Sequence, residues 1–353
     1  MSLQFIMGNS GSGKSYCLYD TVVREAIENP DKNYLVIVPE QFTMQTQKDL
    51  CLAHPKGGIM NIDVLSFGRL AYRVFEEVGQ DARVVLDDEG KNLVLRKIAG
   101  ECEKDLKVFK GNLKKQGYIS EVKSVLSEFA QYGVDFERLD DFMKEVPPES
   151  YLHYKLDDIR TIYEKFEEYL SEKYITKEEM LDVLSDAVPY SDILKGSVVA
   201  MDGFTGFTPV QNRLIGELFS VCEKVMLTVT MAGRENPYVY EHPYQIFALG
   251  KQMVTSLMKI AGEKKTEIEE PICLFERPVY RFRDCSEMAF LETELFRYSG
   301  AKYNGSCESV SLHEVRSPGK EAKYVAESIR RLVRTKGYRY RDIAVIASDM
   351  NVY

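Results

Sequence analysis

Gly8, Asn9, Ser10, Gly11, Ser12, Gly13, Lys14 and Ser15 follow directly behind the apolar run Leu3-Gln4-Phe5-Ile6-Met7. Their spacing, G-x-x-x-x-G-K-[ST], is that of a phosphate-binding loop. Glycines at 8, 11 and 13 permit a tight turn whose backbone N–H groups face an anion, and the helix that follows adds its positive N-terminal end. In such a loop Lys14 reaches the β/γ-phosphates and Ser15 ligates Mg²⁺. The octet leaves a second reading open, a glycine-rich β-to-α turn that holds a structural anion. A nucleotide site also needs a carboxylate at a neighbouring strand end to hold the water shell of the metal, and hydrolysis usually takes another to orient the attacking water. Asp202, closing the run Val198-Val199-Ala200-Met201, supplies the first as an outer-sphere ligand. The next residue is Gly203, which has no side chain to polarise water. Asp202 equally suits the cap of a helix starting near Pro209, or a turn.

The elements that would position these groups follow from the pattern around them. Residues 15–28 read as a helix, and Tyr34-Leu35-Val36-Ile37-Val38 is a short β-branched run ending at Pro39, as a buried parallel strand should be. A second strand at Ile62-Asp63-Val64-Leu65 and a helix near 67–78 complete a β-α-β-α rhythm, so residues 1–86 and 190–235 are assigned to a doubly wound α/β core. Over residues 87–189 the period changes. Val122, Val125, Leu126, Phe129 and Ala130, then Ile159, Ile162, Tyr163, Phe166, Tyr169 and Leu170, recur at three-and-four spacing, which predicts an all-α insertion broken by Pro147-Pro148. Strands return at 198–201 and 224–229, with a helix over 209–220. Residues 236–308 form a connecting region of uncertain structure, with a loop around Tyr238, Tyr240 and Tyr244 and a helix over 245–261. Residues 309–353 return to α/β as a strand over 310–315, a helix over 320–335 and a strand over 343–347. A domain would not end just beyond that strand, so the chain reads as the N-terminal part of a longer protein.

Bulk properties narrow the class. The 353 residues are 44% hydrophobic and 29% charged, as in ordinary globular proteins, and no apolar run approaches the ~18 residues of a membrane span. With a strand starting at the N-terminus there is no signal peptide, which makes the cytoplasm the expected location. Cys17, Cys51, Cys102, Cys222, Cys273, Cys285 and Cys307 are scattered without C-x-x-C spacing, as expected of reduced thiols. A net charge of −9 argues against non-specific coating of nucleic acid. Two basic runs remain, Lys104, Lys107, Lys110, Lys114 and Lys115, and the six cations of residues 330–341; each reads as a nucleic-acid patch or as a solvated helix face.

The ordered set of segments resembles a family. The loop at 8–15, Val38-Pro39-Glu40-Gln41-Phe42-Thr43, Asp63-Val64-Leu65-Ser66-Phe67 and Met201-Asp202-Gly203-Phe204-Thr205-Gly206-Phe207-Thr208 stand in the order of superfamily 1A helicase motifs I, Ia, Ib and II. Arg341-Asp342-Ile343-Ala344-Val345-Ile346 looks like the strand carrying motif IV. Pro39-Glu40-Gln41 and Asp202-Gly203-Phe204 are similar to the B subunits of AddAB helicase–nucleases, bacterial enzymes of recombinational repair, and the likeness spans nearly the whole chain. The resemblance implies a RecA-like P-loop NTPase core binding ATP and Mg²⁺, and a partner A subunit. It also implies single-stranded DNA contacts from Phe42, Thr43, Ser66 and Phe67, although Phe42 and Phe67 equally suit the core. Three departures stand out. Helicase-type ATPases carry glutamate at the position of Gly203, only seven residues precede Gly8 where an adenine-contacting segment would stand, and the motif IV arginine of active relatives would fall near Ser348, so that γ-phosphate contact is absent. They imply a protein that binds nucleotide with little hydrolysis. The family's nuclease domain and iron–sulfur cluster belong to a C-terminal region outside this chain. Two rivals stay open, a nucleotide kinase with the same loop and a scaffold whose loop no longer binds.

Overall fold

A computed structural model of the chain describes residues 1–79, 84–113, 115–170 and 174–353. Lys114 of the first basic run lies outside the described residues. The opening apolar run forms β1 (Ser2–Gly8), which passes through the glycine-rich loop into α1 (Lys14–Glu28). β2 (Tyr34–Ile37) stops two residues short of Pro39, which precedes a 3-10 turn, Glu40–Phe42, ahead of α2 (Thr43–Ala53). β3 (Ile62–Leu65) leads to α3 (Phe67–Val78), whose first turn is capped by Ser66 Oγ accepting from Arg69 N at 3.3 Å.

A short strand β4 (Val84–Leu86) then opens a helical stretch: α4 (Asp88–Glu101), α5 (Gln116–Tyr132), α6 (Phe136–Glu145) and α7 (Tyr151–Leu170). Their apolar faces close on one another around Leu95, Ile98, Val122, Leu126, Ile162 and Phe166, a core separate from those of the sheet. β5 (Tyr174–Thr176) pairs in parallel with β4 and with no strand of the main sheet among the described residues. The stretch is thus not wholly α. Its last helix, α8 (Glu179–Ala187), also departs from the expectation, because Met180, Leu184 and Ala187 pack into the α/β core beside α3. Three-and-four spacing reports that a segment is helical and leaves open which core receives it.

The chain re-enters the sheet as β6 (Val198–Met201), crosses through α9 (Pro209–Val221), and returns as β7 (Lys224–Thr230). Thr208 and Gln211 form a capping box at the start of α9. After a loop come α10 (Ala248–Lys264), β8 (Glu267–Ile268) and β9 (Ile272–Leu274). Spatial order is β3-β2-β6-β7-β1-β8, with β9 also on β1, and every pairing is parallel. Alternate residues feed two cores, as a parallel sheet covered on both faces requires. Leu3, Phe5 and Met7 meet α3, α8, α9 and α10 on one side, while Ile6, Val36 and Ala200 meet Leu18 and Val22 of α1 and Leu50 of α2 on the other.

Residues 282–353 form a second compact unit, containing α11 (Ser286–Glu294) and α12 (Pro318–Lys336). The strands expected at 310–315 and 343–347 are not formed among the described residues. Neither run has a ladder partner, and Leu312 and Ile346 are almost fully exposed. A strand's β-branched pattern supplies no hydrogen bonds by itself. No residue of α12 is buried, although Val325, Ile329 and Leu332 share one face. No helix among the described residues is long and apolar enough to cross a membrane.

The helical core depends on one buried carboxylate. Asp158 of α7, 1% exposed, accepts from the backbone N–H groups of Lys107, Val108 and Phe109 at 2.7–2.8 Å and so fixes the segment between α4 and α5. Asp158→Ala strands these donors, so a loss of about 3 kcal/mol or more is expected in urea denaturation. A change below about 0.5 kcal/mol would show that the segment is held by its apolar residues alone.

Candidate nucleotide site at the carboxyl edge of the sheet

The chain leaves β1 for the face covered by α1, whereas it leaves the adjacent β7 for the face covered by α10. Where neighbouring parallel strands send their connections to opposite faces, a crevice opens at their carboxyl ends. Residues 8–15 line that crevice. Met231 N, just past β7, donates to Gly8 O at 2.9 Å and roots the loop.

Each glycine of the loop answers a separate constraint. A Cβ on Gly8 would stand 2.7 Å from Leu274 O and nearer still to Ser12 Oγ, so a strand on one side and the loop itself on the other exclude any side chain. Gly11 and Gly13 have φ of 83° and 96°, left-handed backbone that disfavours L side chains. Gly13 ends the turn as the residue before α1, directing the first N–H groups of that helix into the crevice. Within the loop, Ser12 N donates to Asn9 O at 3.1 Å, and Lys14 Nζ donates to the same oxygen at 2.9 Å. Lys14 is thus folded back over the turn it follows. Burial lowers its pKa to about 8; Asp202 opposes that shift and Arg281 adds to it. Ser12 Oγ is buried with no hydrogen-bond partner among the described residues. Left-handed glycines, a helix start, a folded-back ammonium and an unsatisfied hydroxyl suit a polyphosphate anion. Ser10 and Ser15 are exposed, and the Asn9 side chain is buried.

Asp202 lies at the end of β6, 8% exposed. Its Oδ1 accepts from Thr228 Oγ1 at 2.5 Å, and its Oδ2 accepts from the Tyr19 hydroxyl at 2.8 Å. Burial, and then the nearby Asp202 carboxylate, hold the Tyr19 hydroxyl well above the ordinary tyrosine range, so it stays a donor. Each carboxylate oxygen keeps lone-pair capacity for a metal-bound water. Asp202 and the exposed Ser15 hydroxyl are the residues that would hold Mg²⁺, with Ser15 as the direct ligand. Gly203 has φ of 79°, and a Cβ there would meet Pro39 Cδ at an ordinary 3.5 Å. Space is available; the backbone conformation is what selects glycine.

The four residues assigned to DNA by resemblance divide. Phe42 is 49% exposed at the end of the 3-10 turn after β2, with its ring edge beside Gly203. Thr43 is buried, and its Oγ1 donates to Glu40 O at 3.0 Å, tying α2 to that turn. Ser66 is the buried cap of α3. Phe67 is buried, its ring centroid 5.4 Å from Phe204 and 6.2 Å from Phe207, so packing joins it to the segment that follows Asp202.

Sequence reasoning missed Tyr19, Thr228 and Arg281. Tyr19 stands one helical turn after Ser15 and so shares its face of α1, and Thr228 interrupts the apolar run of β7; both signals were present in principle. Arg281 N donates to Gly11 O at 3.2 Å, and a Cβ on Gly11 would stand 2.7 Å from Arg281 Cβ. Nothing local in residues 236–308 marks it.

The family described as ADDB, N-terminal, matches residues 5–292. The B subunit of the ATP-dependent helicase/deoxyribonuclease of Lachnoclostridium phytofermentans is 42% identical, over 100% of this chain and 31% of its own length. The proteins of the same name from Thermoanaerobacter sp. and Clostridium tetani are 36% and 33% identical, again over 100% of this chain and over 30% and 31% of their lengths. The chain therefore spans less than a third of these relatives. A match over residues 5–292, which takes in the helical stretch and nearly all of the α/β core, means that the chain belongs to the AddB N-terminal family.

Proposed function

We propose that this chain is the nucleotide-binding, helicase-like part of the B subunit in a bacterial helicase–nuclease of double-strand break repair and homologous recombination. It binds ATP with Mg²⁺, helps guide single-stranded DNA beside a partner A subunit, and hydrolyses ATP little. The observation carrying the reading is the convergence of the glycine-rich loop, Lys14 and Asp202 on one crevice at the carboxyl edge of a parallel sheet. Relatives named as B subunits of an ATP-dependent helicase/deoxyribonuclease supply the wider role. Gly8, Asn9, Ser10, Gly11, Ser12, Gly13, Lys14 and Ser15 cradle the phosphates, Ser15 and Asp202 serve Mg²⁺, and Phe42 is the exposed aromatic on which a DNA base can stack. Thr43, Ser66 and Phe67 act from within, holding the starts of α2 and α3 where DNA would pass. The left-handed backbone at Gly203 supports low turnover, because the loop after Asp202 is built around a residue that carries no carboxylate.

Titration calorimetry with ATP and Mg²⁺ tests nucleotide binding. The unaltered chain should bind and Lys14→Ala should not, while its thermal stability changes by less than about 1 kcal/mol because the side chain lies over the loop. Equal affinity in the two would remove the site from residues 8–15.

Lys14 also sets a pH dependence. Its free-state pKa is lowered to about 8, and bound phosphates would raise it. ATP affinity should be level at lower pH and fall as pH rises through about 8, with protons taken up on binding there. Calorimetry in two buffers of different ionisation enthalpy measures that uptake, and none at pH 8 would contradict the assignment of Lys14.

Gly203→Glu should not create a working ATPase. Forcing an L residue into the left-handed region costs roughly 1–2 kcal/mol, and one carboxylate does not replace a set of groups acting as a unit. Turnover assays with single-stranded DNA decide it. Strong DNA-stimulated hydrolysis by the unaltered protein would overturn the low-turnover reading.

A further inference from the structure

Beyond β1 the sheet continues with β9, paired so that Ile272, Cys273 and Leu274 lie opposite Ile6, Met7 and Gly8. The chain leaving β9 therefore starts level with the root of the loop and runs along its outer side. That segment is anchored: the Phe275 side chain lies where a Cβ on Gly233 would stand 2.9 Å away, and Val279 is 2% exposed. It ends in a 3-10 turn, Tyr280–Phe282, whose Arg281 N–H donates to Gly11 O at 3.2 Å.

The backbone of Arg281 does the holding, which leaves its side chain for another task. That side chain runs along the loop: Cβ, Cδ and Nε stand 2.7, 3.2 and 3.3 Å from where a Cβ on Gly11 would be. It is exposed and has no ion-pair partner among the described residues. Lys14 lies over the same turn, its Nζ donating to Asn9 O at 2.9 Å. Asp202, the carboxylate that counters Lys14, already accepts from Tyr19 and Thr228. Two cations over one turn repel each other, and an anion placed between them reverses the sign of that interaction.

We propose that Arg281 is the second cation of the phosphate site, reaching across Gly11 to the terminal phosphates of a bound nucleoside triphosphate and favouring triphosphate over diphosphate. The planar guanidinium matches paired phosphate oxygens in a way that an ammonium does not. Lys14 of such a loop addresses the β/γ end, so a cation near Lys14 acts on the part of the ligand that a diphosphate lacks. This inference rests on the nucleotide reading of residues 8–15.

The test is equilibrium binding of the Mg²⁺ complexes of a non-hydrolysable ATP analogue and of ADP to the intact protein and to its Arg281→Gln, Arg281→Lys and Lys14→Ala variants. Arg281→Gln should bind the triphosphate about tenfold or more weaker and ADP less than about threefold weaker, with circular dichroism unchanged. Arg281→Lys keeps the charge and loses the fork, so it should fall between the two. Should Arg281→Gln fail to fold, Arg281→Lys decides, and an unchanged triphosphate affinity there overturns the role. An unchanged affinity in Arg281→Gln beside lost binding in Lys14→Ala overturns Arg281 and leaves the nucleotide site standing. Equal losses for both nucleotides overturn the selectivity, and no binding by the unaltered protein overturns the nucleotide reading itself.

Discussion

A parallel sheet with both faces covered is the constraint on which the rest of this molecule depends. Every crossover must start at the carboxyl edge and return at the opposite end, so the loops after β1, β2, β3, β6, β7 and β9 all gather along one edge. Burial on both sides fixes the strands as near-continuous apolar runs, and a register slip of one residue would exchange the residues meeting α1 for those meeting α9. The edge is then the one part of the sheet where polar groups meet without leaving the core's support. Lys14, Phe42, Ser66, the Asp202-Gly203 pair and Arg281 come from separate segments of the chain, and the sheet brings them to the same border.

Within that border the polar groups are held by other polar groups, as their burial demands. Asp202 is taken out of water at the end of β6, and the donors from Tyr19 and Thr228 compensate for the loss of solvent. Lys14 is less fully compensated. Its ammonium has a backbone carbonyl as acceptor and an arginine nearby, and the lowered pKa expresses that deficit. Serine at position 12 shows the same deficit in a neutral group. A loop holding a partly compensated ammonium and an unsatisfied hydroxyl is better satisfied with a multivalent anion than alone.

Much of this was legible in the sequence because its signals are local. Strand runs, the helix starting behind Gly13 and the helices over 122–130 and 159–170 all rest on spacing within a dozen residues, and they occur where the spacing places them. Long-range pairings were not legible. β8 and β9 are too short to stand out, and they exist because β1 offers a free edge. Conversely, the runs at 310–315 and 343–347 carry good strand composition and find no partner among the described residues, so composition alone overstates them. α8 illustrates the same limit for helices, since its period was plain and its destination was not. Arg281 was invisible for this reason: its place beside Gly11 is a consequence of β9 pairing with β1.

Gly203 shows how a backbone conformation selects its residue. Had the turn after Asp202 kept a conformation common to all residues, any side chain would fit there, because the space around the position is open. A φ of 79° is different, because a glutamate at that position must either accept left-handed strain or move the turn. The turn is not free to move without consequence. Its next residues place Phe204 and Phe207 against Phe67, and Phe67 begins the helix that packs on α8. The loop geometry, the aromatic packing and the start of α3 therefore form one unit, and glycine at position 203 is built into that unit.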